Sequence, residues 1–249
     1  MIEHGTLFAA SSGLLAVMTV AFLLWTLRVP TGARSHGYAV VIACGSMSLA
    51  YALMYAGALT IDLAGRTESV TRFLGYSVGW SAVCLVLGAI VDADRRSLFA
   101  LVVAVLASLW AAFLTWVVTG VLDTVVTLVA VGGLVGMGYI LLGPFSRSAT
   151  RVGGQRALLY AKIRFLILLV FAVMLTLGTL SEQRLGLTTA FVGQTVTTYL
   201  DLVWLVGFGG LVLRYAGALE SEGAPSPLSV ATGPAEQPAS SHGDAESTG

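Results

Sequence analysis

The sequence predicts an all-α protein, a bundle of seven membrane-spanning helices with its N-terminus outside and its C-terminus in the cytoplasm. Three observations carry that expectation. Hydrophobic residues make up 57% of the chain, charged residues only 10%, and the mean hydropathy is +0.88. An ordinary soluble domain has roughly a quarter of its residues charged, so lipid is the solvent this composition suits. Seven apolar runs stand between charged or Gly/Pro-containing boundaries, at 6–27, 37–61, 70–91, 97–119, 121–143, 157–180 and 190–213. Each is close to the roughly 20 residues a spanning helix needs. Finally, assigning the loops alternately to the two sides segregates the basic residues. Arg28, Arg34, Arg95, Arg96, Arg147, Arg151, Arg156, Lys162, Arg164 and Arg214 fall on one side, and only Arg66, Arg72 and Arg184 on the other. The crowded side is expected to be cytoplasmic.

The first run, Thr6 to Leu27, follows Glu3 and His4 rather than a basic segment. It also exceeds the core of a signal peptide, so a mature helix is expected. All seven runs are too long for membrane strands of about 10 residues and lack the alternation of a barrel. Cys44 and Cys84 lie inside the second and third runs, where they read as small packing residues. His4, His36 and His242 lie in or beside polar segments and share no ligand spacing, so no metal site is expected. Gly75 and Gly79 in the third span, Gly132-Gly133-Leu134-Val135-Gly136 in the fifth and Gly207-Phe208-Gly209-Gly210 in the seventh are expected to be close helix contacts rather than nucleotide loops.

Asp92 and Asp94, beside Arg95 and Arg96, are expected to cap or pair within the connection between the third and fourth spans. Asp62, Glu68, Asp123 and Glu182 are expected at solvated outer loops and helix ends. After Arg214 there is no further Lys or Arg, while Glu220, Glu222, Glu236, Asp244 and Glu246 are spread through a stretch rich in Pro, Ser, Ala and Gly. Residues 1–217 are therefore expected to form the membrane domain and 218–249 a disordered acidic cytoplasmic tail.

An ionisable group in the hydrocarbon core marks a functional position by default. Asp201 stands mid-way along the seventh run, in Tyr199-Leu200-Asp201-Leu202-Val203-Trp204-Leu205. Arg72 enters the third run from the outer side, and its long side chain can reach inward. The pair is a candidate buried ion pair that either gates something or ties two helices together. A proton path would need a ladder of carboxylates, and only Asp201 stands in the centre.

Asp201-Leu202-Val203-Trp204-Leu205-Val206-Gly207-Phe208-Gly209, followed by Leu213-Arg214, resembles the last helix of the microbial rhodopsins, the bacteriorhodopsin-like family. Val91-Asp92-Ala93-Asp94, Arg72, Tyr139-Ile140-Leu141, Lys162 and Arg164 fit other helices of that family. The resemblance covers roughly residues 5–215. It implies seven antiparallel helices enclosing all-trans retinal, bound to a lysine as a protonated Schiff base, in a cell membrane often of a halophilic archaeon.

The departures fall on the chemistry. Where the family carries its retinal lysine this chain has Leu205, which has no amine to form a Schiff base. Its one lysine, Lys162, is expected near the cytoplasmic edge of the sixth span. Counting from Arg72, the proton-acceptor position is Gly75, the usual tryptophan is Tyr76 and the cytoplasmic donor position is Val86. In the sixth span, where aromatic walls for the polyene are expected, the stretch from Phe171 to Gly178 provides only one ring, Phe171. Trp204 and Trp80 are expected to fill part of the former polyene volume.

The sequence thus suggests an opsin-fold protein of the cell membrane with no covalent retinal, acting as a regulatory or interaction protein. A membrane-protein partner or a homo-oligomer fits this reading, and noncovalent retinal or carotenoid is left open. The competing readings are a light-driven ion pump or sensory photoreceptor, and a passive channel or transporter whose outer vestibule would be lined by Gln194, Thr195, Thr197, Thr198 and Ser77. Zero net charge suggests no nucleic-acid partner. No nucleophile–base or metal constellation points to an enzyme.

Overall fold

In a computed structural model, described here for residues 4–63, 66–180 and 185–232, the chain folds as seven long helices. They are α1 (His4–Arg28), α2 (Arg34–Tyr55), α3 (Val70–Ile90), α4 (Arg95–Leu114), α5 (Val121–Leu142), α7 (Gly154–Leu180) and α8 (Ala190–Arg214). Between α2 and α3 a two-stranded antiparallel hairpin pairs β1 (Thr60–Leu63) with β2 (Arg66–Ser69). A short helix α6 (Pro144–Val152) prolongs α5, and α9 (Ala216–Ser221) and α10 (Pro227–Thr232) follow α8. All seven long segments are apolar enough to cross a membrane. Consecutive spans pack side by side except that α5 reaches α7 mainly through α6, and α8 packs against α7, α1 and α2. The central helix is α3: 72% of its most apolar stretch is buried, against 17% for the corresponding stretch of α1.

The second span ends at Tyr55 rather than near 61. Gly57, at φ +68°, closes it with paired bonds from Gly57 N to Met54 O and from Ala58 N to Leu53 O, the glycine-dependent C-terminal motif that satisfies orphan carbonyls. The residues beyond go to the hairpin instead. The fourth span stops at Leu114 rather than 119, because its end tightens into turns (Val117 N to Leu114 O) that lead to Gly120 at φ +69°. The fifth is interrupted at Gly143-Pro144, where proline has no N–H to continue the ladder. The Leu141 carbonyl there accepts from Ser146 Oγ at 3.0 Å and from the Tyr160 hydroxyl.

Glycines mark the close helix approaches. A Cβ on Gly133 would lie 2.6 Å from the Ala104 carbonyl oxygen of α4, and one on Gly209 would lie 2.6 Å from the Phe22 ring of α1. Cys44 and Cys84 are buried and free, as packing residues should be. His36 departs from its expected polar setting: it is 1% exposed in the first turn of α2.

The expected tail begins too early. Residues 216–232 include two short helices, and Leu219 is 1% exposed. The cause is local chemistry that composition does not show. The Glu222 carboxylate accepts the Gln155 and Arg156 N–H groups at 3.0 and 3.3 Å, capping the start of α7. Arg156, itself buried, returns a bond to the Glu222 carbonyl at 3.2 Å, reaches the Ile90 and Ala89 carbonyls at the end of α3, and pairs with Asp92 at 2.6 Å. Asp94 caps α4 through the Ser97 N–H at 2.9 Å, which holds its carboxyl below the ordinary carboxylate range. The rest of the expected tail, 233–249, lies outside the described residues, as do Glu182, Arg184 and the side chains of Asp62, Arg66 and Glu68.

Candidate functional site

The charged centre is built by α2, α3 and α8. Asp201 is fully buried, one turn before Trp204 and Leu205 on α8. Tyr51 of α2 donates to its Oδ2 at 2.6 Å, and Tyr76 of α3 donates to Oδ1 at 2.8 Å and to Oδ2 at 2.7 Å. Arg72, one turn before Tyr76, stands 4.0 Å from Oδ2. Its Nη2 donates to the Tyr51 hydroxyl at 2.9 Å and to Thr198 Oγ1 at 3.1 Å, and its Nη1 to Gln194 Oε1 at 3.1 Å. The guanidinium also lies over the Tyr51 ring, 5.3 Å from the centroid. Arg72 and Asp201, paired from their positions alone, are thus neighbours.

Tyr51 is the member the sequence reading missed. A tyrosine inside an apolar run needs a partner for its hydroxyl, and that was the available signal. Tyr76, read as the place of a lost tryptophan, is the second donor to Asp201. The expected outer vestibule resolves into two residues, Gln194 and Thr198. Thr195 and Thr197 bond back to their own helix at 2.8 Å each, and Ser77 accepts from Trp110 Nε1 of α4 at 3.0 Å.

Further along the same interior, Trp80 stacks on Trp204 with ring centroids 4.4 Å apart and planes 9° from parallel, and Phe171 lies 4.9 Å from Trp80. Leu205 is 1% exposed and Val86 fully buried. Beside Trp80, toward Cys84, Leu87, Met137 and Ile167, the void is about 10 Å³, room for about one water. Gly75 faces α2: a Cβ there would lie 2.7 Å from the Ala50 Cβ and 3.1 Å from Met47 Sδ. Lys162 donates to the Tyr215 hydroxyl at 2.6 Å. About 21 Å of helical rise separates Asp201 from Tyr215.

Among the described residues no group of histidines, cysteines and acids could hold a metal ion. Every polar atom of Asp201 is met from within the protein, so what this arrangement does physically is join three helices through one carboxylate.

Seven spans in a closed ring, with a buried carboxylate on the last held by an arginine on the third, define a multi-pass membrane protein of rhodopsin architecture. The chain belongs to the bacteriorhodopsin-like protein family, whose model matches residues 3–219. It is 26% identical over 222 residues to sensory rhodopsin-2 of Natronomonas pharaonis, covering 89% of this chain and 93% of that protein. Among solved structures it resembles the thermophilic rhodopsin of Rubrobacter xylanophilus, with a TM-score of 0.82, 18% identity and coverage of 90% of this chain and 100% of the other. Bromide-bound halorhodopsin of Halobacterium salinarum superposes with a TM-score of 0.79 at 16% identity, covering 88% and 96%.

Proposed function

We propose that this member of the family works without a chromophore, as a regulatory or interaction protein of the membrane rather than a light-driven pump, photoreceptor or enzyme. The observation that carries the reading is Leu205, a buried hydrocarbon side chain where the family resemblance puts a lysine. Lys162, engaged with Tyr215, is roughly 15 Å away from it along the bundle. The groups around Leu205 do not suit retinal. The Trp80–Trp204 stack fills space beside it, and the void on the other side of Trp80, about 10 Å³, is far below the several hundred Å³ of an ordinary ligand pocket. Gly75 and Val86 carry no proton-transfer group. The arginine-rich end is assigned to the cytoplasm, which leaves the N-terminus outside.

Adding all-trans retinal to the purified protein, and recording visible absorbance before and after borohydride reduction, tests this. No visible band is expected, and a band that reduction removes would revive the photochemical reading. That second reading draws on the similarity to sensory rhodopsin-2. Crosslinking from native membranes is expected to capture a membrane-protein partner or a second copy; recovery of neither would count against the interaction role.

A further inference from the structure

We infer that the outer face of α1 holds an anionic membrane lipid, with an acyl chain lying along Ala21, Leu24 and Trp25 and the headgroup phosphate on Arg28. These four residues and Val29 line an open groove of about 500 Å³. The small side chain of Ala21 leaves its floor low, while Leu24 and Trp25 are 52% and 43% exposed. Its lining follows the last two turns of α1 to the helix end, and Trp25 stands where an indole suits the headgroup boundary.

Charge selects the class of lipid. The Arg28 side chain makes no hydrogen bond or ion pair among the described residues. Arg34 adds a second guanidinium at the same helix end, donating Nε to the Val29 carbonyl and Nη2 to the Leu27 carbonyl, each at 3.2 Å. Glu220, the acidic residue of this corner, turns its Oε1 to the Gly32 N–H at 3.4 Å. Asp92 and Glu222 are engaged with Arg156 and the start of α7. One cation therefore lines the groove and a second lies at the same helix end, with no carboxylate ion-paired to either among the described residues. A phosphodiester lipid complements both parts at once, whereas an acidic protein segment would leave the groove to bulk lipid.

The test uses the full chain in phosphatidylcholine nanodiscs doped with an equal fraction of brominated phosphatidylglycerol or brominated phosphatidylcholine. The Trp25 contribution to bromine quenching is taken as the difference from W25F. Excess quenching by the anionic lipid is expected, falling about fivefold in R28Q, since one interfacial arginine contributes on the order of that factor. The excess should also fall in A21L, which fills the groove, and persist in R214Q. Equal quenching by the two lipids, or an excess that survives R28Q, would overturn the assignment.

Discussion

The Tyr76 hydroxyl bridges both oxygens of Asp201, at 2.8 and 2.7 Å, so α3 meets the charged centre through a side chain that the family resemblance marks as a replacement. With Tyr51 on Oδ2 and Arg72 behind it, the carboxylate is stabilised entirely by its own protein. Such a centre needs no further cation inside the bundle. Its physical consequence is a tie among α2, α3 and α8.

That tie predicts a graded series. Removing one hydrogen bond to a buried charged group costs about 1.5–3 kcal/mol in soluble proteins, but polar contacts between membrane helices average about 0.6 kcal/mol. Tyr76→Phe and Tyr51→Phe are each expected to cost about 1–2 kcal/mol, between those limits. Asp201→Asn leaves Arg72 without its counter-charge and should cost more, about 3 kcal/mol. Unfolding by SDS titration, followed by circular dichroism, reads the order. Equal stability of D201N and wild type would show that the pair holds nothing together.

Gly75 and Gly79 share a helix face but differ in what surrounds them. Gly75→Ala brings its Cβ to 2.7 Å from Ala50 and 3.2 Å from the Ser46 carbonyl oxygen, so α2 and α3 must separate. A cost of about 1–3 kcal/mol is expected, and Ala50→Gly should recover part of it. At Gly79 the nearest atoms lie at 3.6 Å, ordinary van der Waals contact. Gly79→Ala is therefore expected to be neutral or slightly stabilising, given the better helix propensity of alanine. Thermal unfolding in detergent distinguishes the two, and equal effects would refute the close approach at Gly75.

What the sequence reveals and hides follows from range. Length and hydropathy are local, so all seven spans and the placement of Asp201 and Arg72 could be read directly. Gly57 ended the second span early because positive φ outweighs hydropathy at a helix terminus, and the fourth gave way to turns after Leu114. Tyr51 is 150 positions from Asp201 and Glu222 is 66 from Arg156. No periodicity links residues so far apart, and their partnership depends on helices meeting. The tail expectation fell short over residues 218–232 for the same reason: acidic, Pro-containing composition describes a segment in isolation, not one whose carboxylate finds the two N–H groups of a helix start.

Glu222 is accordingly expected to act as a latch on α7. Glu222→Gln retains an acceptor but loses the charge that favours a helix N-terminus, an effect of about 0.3–1 kcal/mol. Amide hydrogen exchange at Gln155 and Arg156 should quicken severalfold, with the centre of α8 unchanged. Arg156→Gln breaks the link to Asp92 and to the carbonyls ending α3 as well, so exchange should rise in both α3 and α7. Unaltered protection at Gln155 in E222Q would remove the latch.

The last prediction concerns the space around Leu205. If the missing lysine were the only obstacle to retinal, Leu205→Lys would restore a covalent, visible-absorbing adduct. The stacked Trp80 and Trp204, with centroids 4.4 Å apart, argue otherwise. Packed interiors do not open a polyene-sized volume without large cost. L205K incubated with all-trans retinal is therefore expected to show no borohydride-sensitive visible band. W204A is expected to lose about 3–5 kcal/mol through the cavity it creates, which measures independently how much of that interior the tryptophan fills. A reducible band from L205K alone would mean that the lysine, and not the packing, separates this chain from its photochemical relatives.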